Sequence, residues 1–343
     1  MKFKLFHILL CAGLFLEGLA GFVSPAVAVP PPPPMVAVIL PRDNARFQEI
    51  HAVFLQNFEK VTTIVGKPRL YVQSPNPDVM SLRNSIRKAT ALGADLIVVY
   101  GTRAATAAKQ EDFTEPLIFA DVFDPVAMGL VPSLNRGGVL VTGVVGHAPV
   151  QTLFKTLQET IGSKQLAIPV EPRNAAGQKQ VEALRKAACR RGGPADEGGK
   201  AGKAGEFCSL EIVATEMQSA NDVIKAFGKL TVKPDAIFLP DMLPTDAHVA
   251  GILSYAAQNN LPVVSQLTGT ADRGAFLTLE SDPEEQGVML AEIASRMIDG
   301  DLPEDVPPKV PHRVSLTVNL TVARQLGIQV PFAVLTQTDR AIR

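Results

Sequence analysis

Two short stretches carry side chains able to grip a small molecule. Gly101-Thr102-Arg103 follows the apolar run 95–100, and Asp121-Val122-Phe123-Asp124-Pro125 follows 116–120. Each sets small or charged groups just past the carboxyl end of a buried strand, where open α/β sheets hold their ligands. Thr102 is placed to cap the helix behind it, whose first N–H groups would favour an anionic ligand group; a plain capping role stays open. Asp124 reads as a turn residue as readily as a ligand contact, and Asp121 as a solvated loop carboxylate. Nothing in the sequence transforms a ligand. It has no Gly-x-Gly-x-x-Gly after a strand, no P-loop, no HExxH and no Gly-x-Ser-x-Gly. His51, His147, His248 and His312 are scattered and read as surface or packed residues. No nucleophile, base and orienting group come together, so the pattern favours holding over catalysis, with no cofactor or metal implied.

The elements that must position these residues alternate along the chain. Apolar runs of strand length occur at 35–40, 69–72, 95–100, 116–120 and 139–144, with helical patterns at 44–58, 79–92 and 102–108 between them. The second half repeats the rhythm, with strands at 165–170, 210–215, 236–239 and 262–265 and helices at 176–190, 220–229 and 245–259. Fully apolar strands alternating with helices predict parallel sheets covered on both faces. Two such half-chains predict an α/β protein of two doubly wound, Rossmann-like lobes joined by a hinge. At 282–299 the sequence predicts a strong helix: Asp282 caps it, Pro283 suits its first turn, and Glu284 and Glu285 complement the macrodipole. The alternating run 313–319 reads as an edge strand at which the chain re-crosses between lobes.

Composition sets the setting. Of 343 residues, 46% are hydrophobic and 20% charged, enough for full globular cores, and the formal net charge of −1 gives no electrostatic footprint for nucleic acid. Lys2 and Lys4, a largely apolar stretch and Ala26-Val27-Ala28 form a secretory signal peptide over 1–28. Its loss leaves a chain expected in the periplasm. Residues 29–34 are a proline-rich spacer that favours extended polyproline II. An insertion at 189–208 is rich in glycine and charge and reads as a surface loop. Cys189 and Cys208 stand at its two ends and are the mature chain's only cysteines. In an exported protein that arrangement predicts a disulfide, with two free thiols as the alternative.

Longer motifs carry a resemblance. The run Gly101-Thr102-Arg103-Ala104-Ala105, then Ile118-Phe119-Ala120-Asp121-Val122-Phe123-Asp124-Pro125-Val126-Ala127-Met128-Gly129-Leu130-Val131, then Val141-Thr142-Gly143-Val144, resembles the ABC-transporter substrate-binding family related to the tryptophan/tyrosine-binding proteins. A second block agrees: Asp272-Arg273-Gly274-Ala275, Gly287, Gly300, and Val318-Asn319-Leu320-Thr321 through Leu326-Gly327-Ile328, closed by Val330-Pro331. The resemblance implies a type I periplasmic-binding-protein fold with about three crossovers. Residues 35–143 plus 274–302 would form lobe one, and 146–270 plus 306–335 lobe two. It further implies a monomer that closes over a small ligand and delivers it to an ABC permease, or signals through a membrane sensor.

The same resemblance places the second half of the pocket, and there this chain departs from the family pattern. Val145-Gly146 stands where Ser-Asp is usual, Glu171-Pro172-Arg173-Asn174 where an Asn-Pro loop is usual, and Asp241-Met242 where a polar Thr-Asp-Asn loop is usual. Gln266-Leu267 replaces a Ser-Asp pair, and Phe123 a threonine before Asp-Pro. Asp282 completes the expected ligand-binding set of Arg42, Asp43, Gly101, Thr102, Arg103, Asp121, Phe123, Asp124, Val145, Glu171, Asn174, Asp241, Met242 and Gln266. A buried ammonium without a carboxylate partner costs several kcal/mol. The departures therefore suggest a ligand more apolar than the family's amino acids, although Asp241 or Glu171 could supply the missing charge.

Overall fold

The computed structural model describes residues 32–42, 44–60, 67–146, 150–172, 175–191, 206–208, 210–240, 246–267 and 269–343. The expected leader 1–28, the first half of the spacer, most of the insertion, His147, and the site candidates Asp43, Asn174, Asp241 and Met242 lie outside the described residues.

The first half builds β1 (Met35–Ile39), α1 (Ala45–Phe58), β2 (Arg69–Gln73), α2 (Val79–Ala91), β3 (Leu96–Tyr100), α3 (Gly101–Ala108), β4 (Leu117–Val122) and β5 (Val141–Val145). Its strands form one parallel five-stranded sheet in the order β2-β1-β3-β4-β5. The central strand shows why. All five residues of β3, Leu-Ile-Val-Val-Tyr, are buried. Successive side chains of a strand point to opposite faces. Ile97 and Val99 accordingly join a core with α2 and α3, while Leu96, Val98 and Tyr100 join a core with α1.

The second half builds α4 (Val150–Ile161), β6 (Gln165–Val170), α5 (Ala175–Ala188), β7 (Cys189–Arg191), β8 (Glu206–Cys208), β9 (Glu211–Glu216), α6 (Val223–Phe227), β10 (Ala236–Leu239), α7 (Asp246–Gln258), β11 (Val263–Ser265) and β12 (Leu277–Ser281). After these come α8 (Pro283–Ile298), β13 (Val314–Asn319), α9 (Leu320–Gln325), α10 (Phe332–Leu335) and β14 (Arg340–Ile342). A seven-stranded sheet runs β14-β13-β12-β11-β10-β6-β9 and is parallel except for the β12–β13 pair. Strands β7 and β8 form a separate antiparallel ribbon that sets Cys189 opposite Cys208.

Two expected boundaries are corrected. The segment 274–302 does not belong to lobe one as a unit. Its strand β12 pairs with β11 and β13 of the second sheet, and only α8 packs on lobe one, against α1. The run at 313–319 is not an edge strand, because β14 pairs along its outer side. The absent side chain of Gly287 explains the tight α1–α8 packing. A Cβ at Gly287 would stand 2.8 Å from the Ile50 carbonyl oxygen, so only glycine admits this approach.

Among the described residues the chain passes between the two sheets three times: after β5, between β12 and α8, and between α8 and β13. The first and third passages are hydrogen-bonded together. Val145 N–H donates to the Lys309 carbonyl, and Lys309 N–H to the Gly143 carbonyl, each at 2.9 Å. Thr142 Oγ1 adds a bond to the Val306 carbonyl.

Candidate functional site

The loops at the carboxyl ends of both sheets bring two groups of charges together. The deeper one lies at the hinge. Asn44 caps α1 by accepting the Phe47 N–H at 3.1 Å, which places Arg46 in the first helical turn with its side chain turned inward. Arg46 Nε donates to Asp121 Oδ2 at 2.9 Å, and Gln286 Nε2 of α8 donates to Asp121 Oδ1 at 3.1 Å. Arg46 Nη1 also stands 3.7 Å from Glu280 of β12, in the other sheet. Arg46 is 5% exposed, Asp121 6% and Gln286 0%. Burial works against the Arg46 charge, but the carboxylates around it, Asp121 first and then Glu280 and Glu49, together outweigh it. The guanidinium is therefore held above its ordinary value.

Asp121 is thus not the solvated loop carboxylate that its position suggested. It sits at φ +56 where the β4–β5 register shifts between Phe119 and Val122. A non-glycine residue at positive φ is strained and persists only when its surroundings fix it. Here Arg46 and Gln286 hold the carboxylate. Gly146, on the first passage between the lobes, packs so closely that a Cβ there would stand 2.7 Å from the Asp121 backbone carbon. One aspartate therefore touches the first passage directly and the second through α8.

The other group spans the cleft. Arg103 lies in the first turn of α3, on lobe one, and Glu171 follows β6, on lobe two. Arg103 Nη2 and Glu171 Oε2 are 3.3 Å apart, with side chains 21% and 26% exposed. His248 of α7 lies beside them. Burial lowers its pKa, Glu171 raises it, and Arg103 lowers it further. Lys179 of α5 adds a second contact across the lobes, donating to the Ala127 carbonyl at 2.9 Å.

The other described candidates are engaged within the framework. Gly101 opens α3 at φ +84, directly after Tyr100, so Thr102 stands inside the helix and does not cap it. Its Oγ1 accepts the Phe123 N–H at 3.0 Å. Phe123 is buried in the lobe-two core with Val150 and Phe154, so its apolar side chain fills the lobe junction and not a pocket. Val145 is likewise a buried strand residue whose N–H goes to Lys309. Asp124 is a turn residue that accepts the Ala127 N–H, and Asp282 caps α8 through Glu284 and Glu285 while pairing with Arg313. Arg42 donates to the Ser74 carbonyl, and Gln266 is buried with its N–H on the Leu239 carbonyl.

Sequence reading passed over Arg46, Gln286, Glu280 and Lys179, and placed His248 among surface or packed residues. The one available signal was an arginine two residues after a capping asparagine on an otherwise amphipathic helix. Two cavities, of about 430 and 390 Å³, lie elsewhere. The first is lined by Ala108, Lys109, Phe113 and Leu130 of lobe one, the second by Leu253, Arg273 and Leu326 of lobe two. Neither includes a candidate residue. Among the described residues, no helix is long and apolar enough to cross a membrane.

Known proteins share this arrangement. The solved structure of an ABC domain in complex with L-Trp from Streptococcus pneumonia superposes with a TM-score of 0.76 at 21% identity, covering 90% of this chain and 100% of that one. A conserved domain protein from Vibrio cholerae gives 0.75 at 23% identity, covering 90% and 99%. The fold is that of type I periplasmic binding proteins. A tyrosine-binding protein from Clostridioides difficile (strain R20291) is 23% identical over 231 residues, which make up 66% of this chain and 61% of that protein. The family model for ABC transporter substrate binding proteins matches residues 63–196 and 199–342. With two α/β lobes, three passages between them and charged strand-end loops facing one another, the chain belongs to the ABC transporter substrate binding protein family.

Proposed function

We propose that this chain is the periplasmic solute-binding component of an ABC-type uptake system and closes its two lobes over a small organic molecule. The carrying observation is the meeting of Arg103 and Glu171 across the cleft from loops at the ends of two different sheets. Residues Asp43, Asn174, Asp241 and Met242 complete the lining in this reading. The ligand is uncharged or weakly polar where it meets Arg103 and Glu171, because those charges neutralise one another. The apolar substitutions at Phe123 and Val145 lend this less support than they did in the sequence, since both side chains pack into the framework. Mass spectrometry of small molecules that co-purify with the protein tests the reading. A recurring neutral compound that raises the melting temperature supports it, and the absence of any such compound across a broad metabolite panel rejects it.

A second reading, an aromatic amino acid in a rearranged pocket, is favoured by two similar proteins, the tyrosine-binding protein and the ABC domain in complex with L-Trp. Calorimetric titration with L-tyrosine and L-tryptophan separates the two, since micromolar affinity selects the amino acid.

The same proposal places the protein outside the inner membrane after removal of residues 1–28, as a monomer that presents both lobes to a permease. A neighbouring sensor kinase gene in place of a permease gene would instead favour ligand sensing. It also includes a Cys189–Cys208 disulfide, supported by their opposite places in the β7–β8 ribbon. Such a bridge would add roughly 3 kcal/mol in the chain-entropy model. Intact mass lighter by two hydrogens than the reduced form checks it.

A further inference from the structure

The Arg103–Glu171 contact joins side chains 68 residues apart and on different lobes. Each partner is largely covered yet still reaches solvent, so both are fully hydrated once the lobes part. Glu171 also lies within electrostatic reach of His248, and so does Asp222. The Lys179–Ala127 bond, from the neighbouring helix α5, crosses the same gap with a neutral acceptor.

We propose that Arg103 and Glu171 form a closure latch: positioning residues whose ion pair holds the lobes together and sets how far the ligand-free protein already closes. This rests on the solute-binding reading only in that the lobes move. A partly exposed pair contributes modestly, because hydration of the separated charges competes with their attraction. The latch therefore biases closure and does not lock it. A reversed charge acts more strongly than a neutral one. Glutamate at position 103 would face Glu171 and repel it.

The test measures inter-lobe distance by pulsed electron paramagnetic resonance in the ligand-free mature protein, with labels at the exposed positions Gln110→Cys and Gln178→Cys. Arg103→Glu and Glu171→Arg should each raise the open-to-closed ratio, by about two- to fivefold. The Arg103→Glu/Glu171→Arg exchange should restore the wild-type distribution. Glu171→Gln, which keeps the side-chain shape, should give a smaller shift in the same direction and serves if a reversal variant fails to fold. Raising salt from about 0.05 to 1 M should open the wild type and leave Glu171→Gln unchanged. The latch is overturned if the wild type is wholly open, if the single variants leave the distance unchanged, or if the exchange does not restore it. None of these measurements uses a ligand. Failure of the solute-binding reading would appear separately, as no melting shift with L-tryptophan, L-tyrosine or a metabolite panel while the distance changes persist.

Discussion

The two places where charges meet between the lobes differ in depth, and the depth separates their work. At the hinge, Arg46, Asp121 and Gln286 are nearly sealed from water, and Glu280 is only slightly more open. At the cleft mouth, Arg103 and Glu171 keep a fifth to a quarter of their side-chain surface in solvent. A sealed ion pair cannot be broken cheaply, because the abandoned charge has no water to turn to. A partly exposed pair can part and re-form, because water replaces the lost partner. The hinge cluster therefore fixes the pivot, and the cleft pair tunes the motion about it.

Substitutions break this contrast in a graded way. The largest effect is expected at the hinge. Asp121→Leu leaves Arg46 without its nearest carboxylate and should cost about 3–5 kcal/mol of unfolding free energy in urea titration. A loss below about 1 kcal/mol would mean that the cluster is not the sealed pair described. Next comes the helix contact that backs it. Gly287→Val forces a side chain against the Ile50 carbonyl and Val53, and should destabilise by about 1–3 kcal/mol, read from the same titration.

A pH effect of intermediate size comes from lobe one. His51 Nδ1 lies 3.0 Å from the Tyr100 hydroxyl, and burial lowers the imidazole from its ordinary value of 6.5. Burial likewise pushes the Tyr100 hydroxyl well above its usual range. A lowered folded-state value means that the unfolded chain takes up the proton first. The contribution of His51 is thus complete above about pH 6.5 and is lost as pH falls through the folded-state value, with a limiting slope of about 1.4 kcal/mol per pH unit. His51→Gln retains a hydrogen-bonding group without titrating, and should flatten the stability profile between about pH 7 and 5. An unchanged profile would move the acid sensitivity to His248, whose value is also lowered by burial. The smallest effect belongs to the cleft. Glu171→Gln should change unfolding free energy by no more than about 1 kcal/mol. A cost as large as that of Asp121→Leu would erase the distinction between pivot and latch.

Much of the framework was legible because its causes are local. The unbroken apolar run of β3 announces a strand buried on both faces, and Asp282-Pro283-Glu284-Glu285 announces the start of α8. The strand β12 was missed because Leu-Thr-Leu-Glu-Ser alternates like a half-exposed strand and is short, although four of its five residues are buried. The site was legible in part. Arg103 was nominated from its place after a buried strand and Glu171 through the family resemblance, but nothing local to either names the other. Asp121 was nominated for the same reason as Arg103 and serves a different purpose. Its partner Arg46 lies 75 residues earlier, and Gln286 165 residues later.

By itself the sequence determined where most strands and helices form, that the central strands are covered on both faces, and that charged loops stand at their carboxyl ends. Side-chain periodicity, caps and turn residues act over a few positions and leave their mark in the local pattern. Only the tertiary structure decided which of those charges meet: Arg46 with Asp121 at the pivot, and Arg103 with Glu171 across the cleft. Charge pairing depends on distance and on exclusion of water, and both are set when the two sheets are brought together by three passages of the chain.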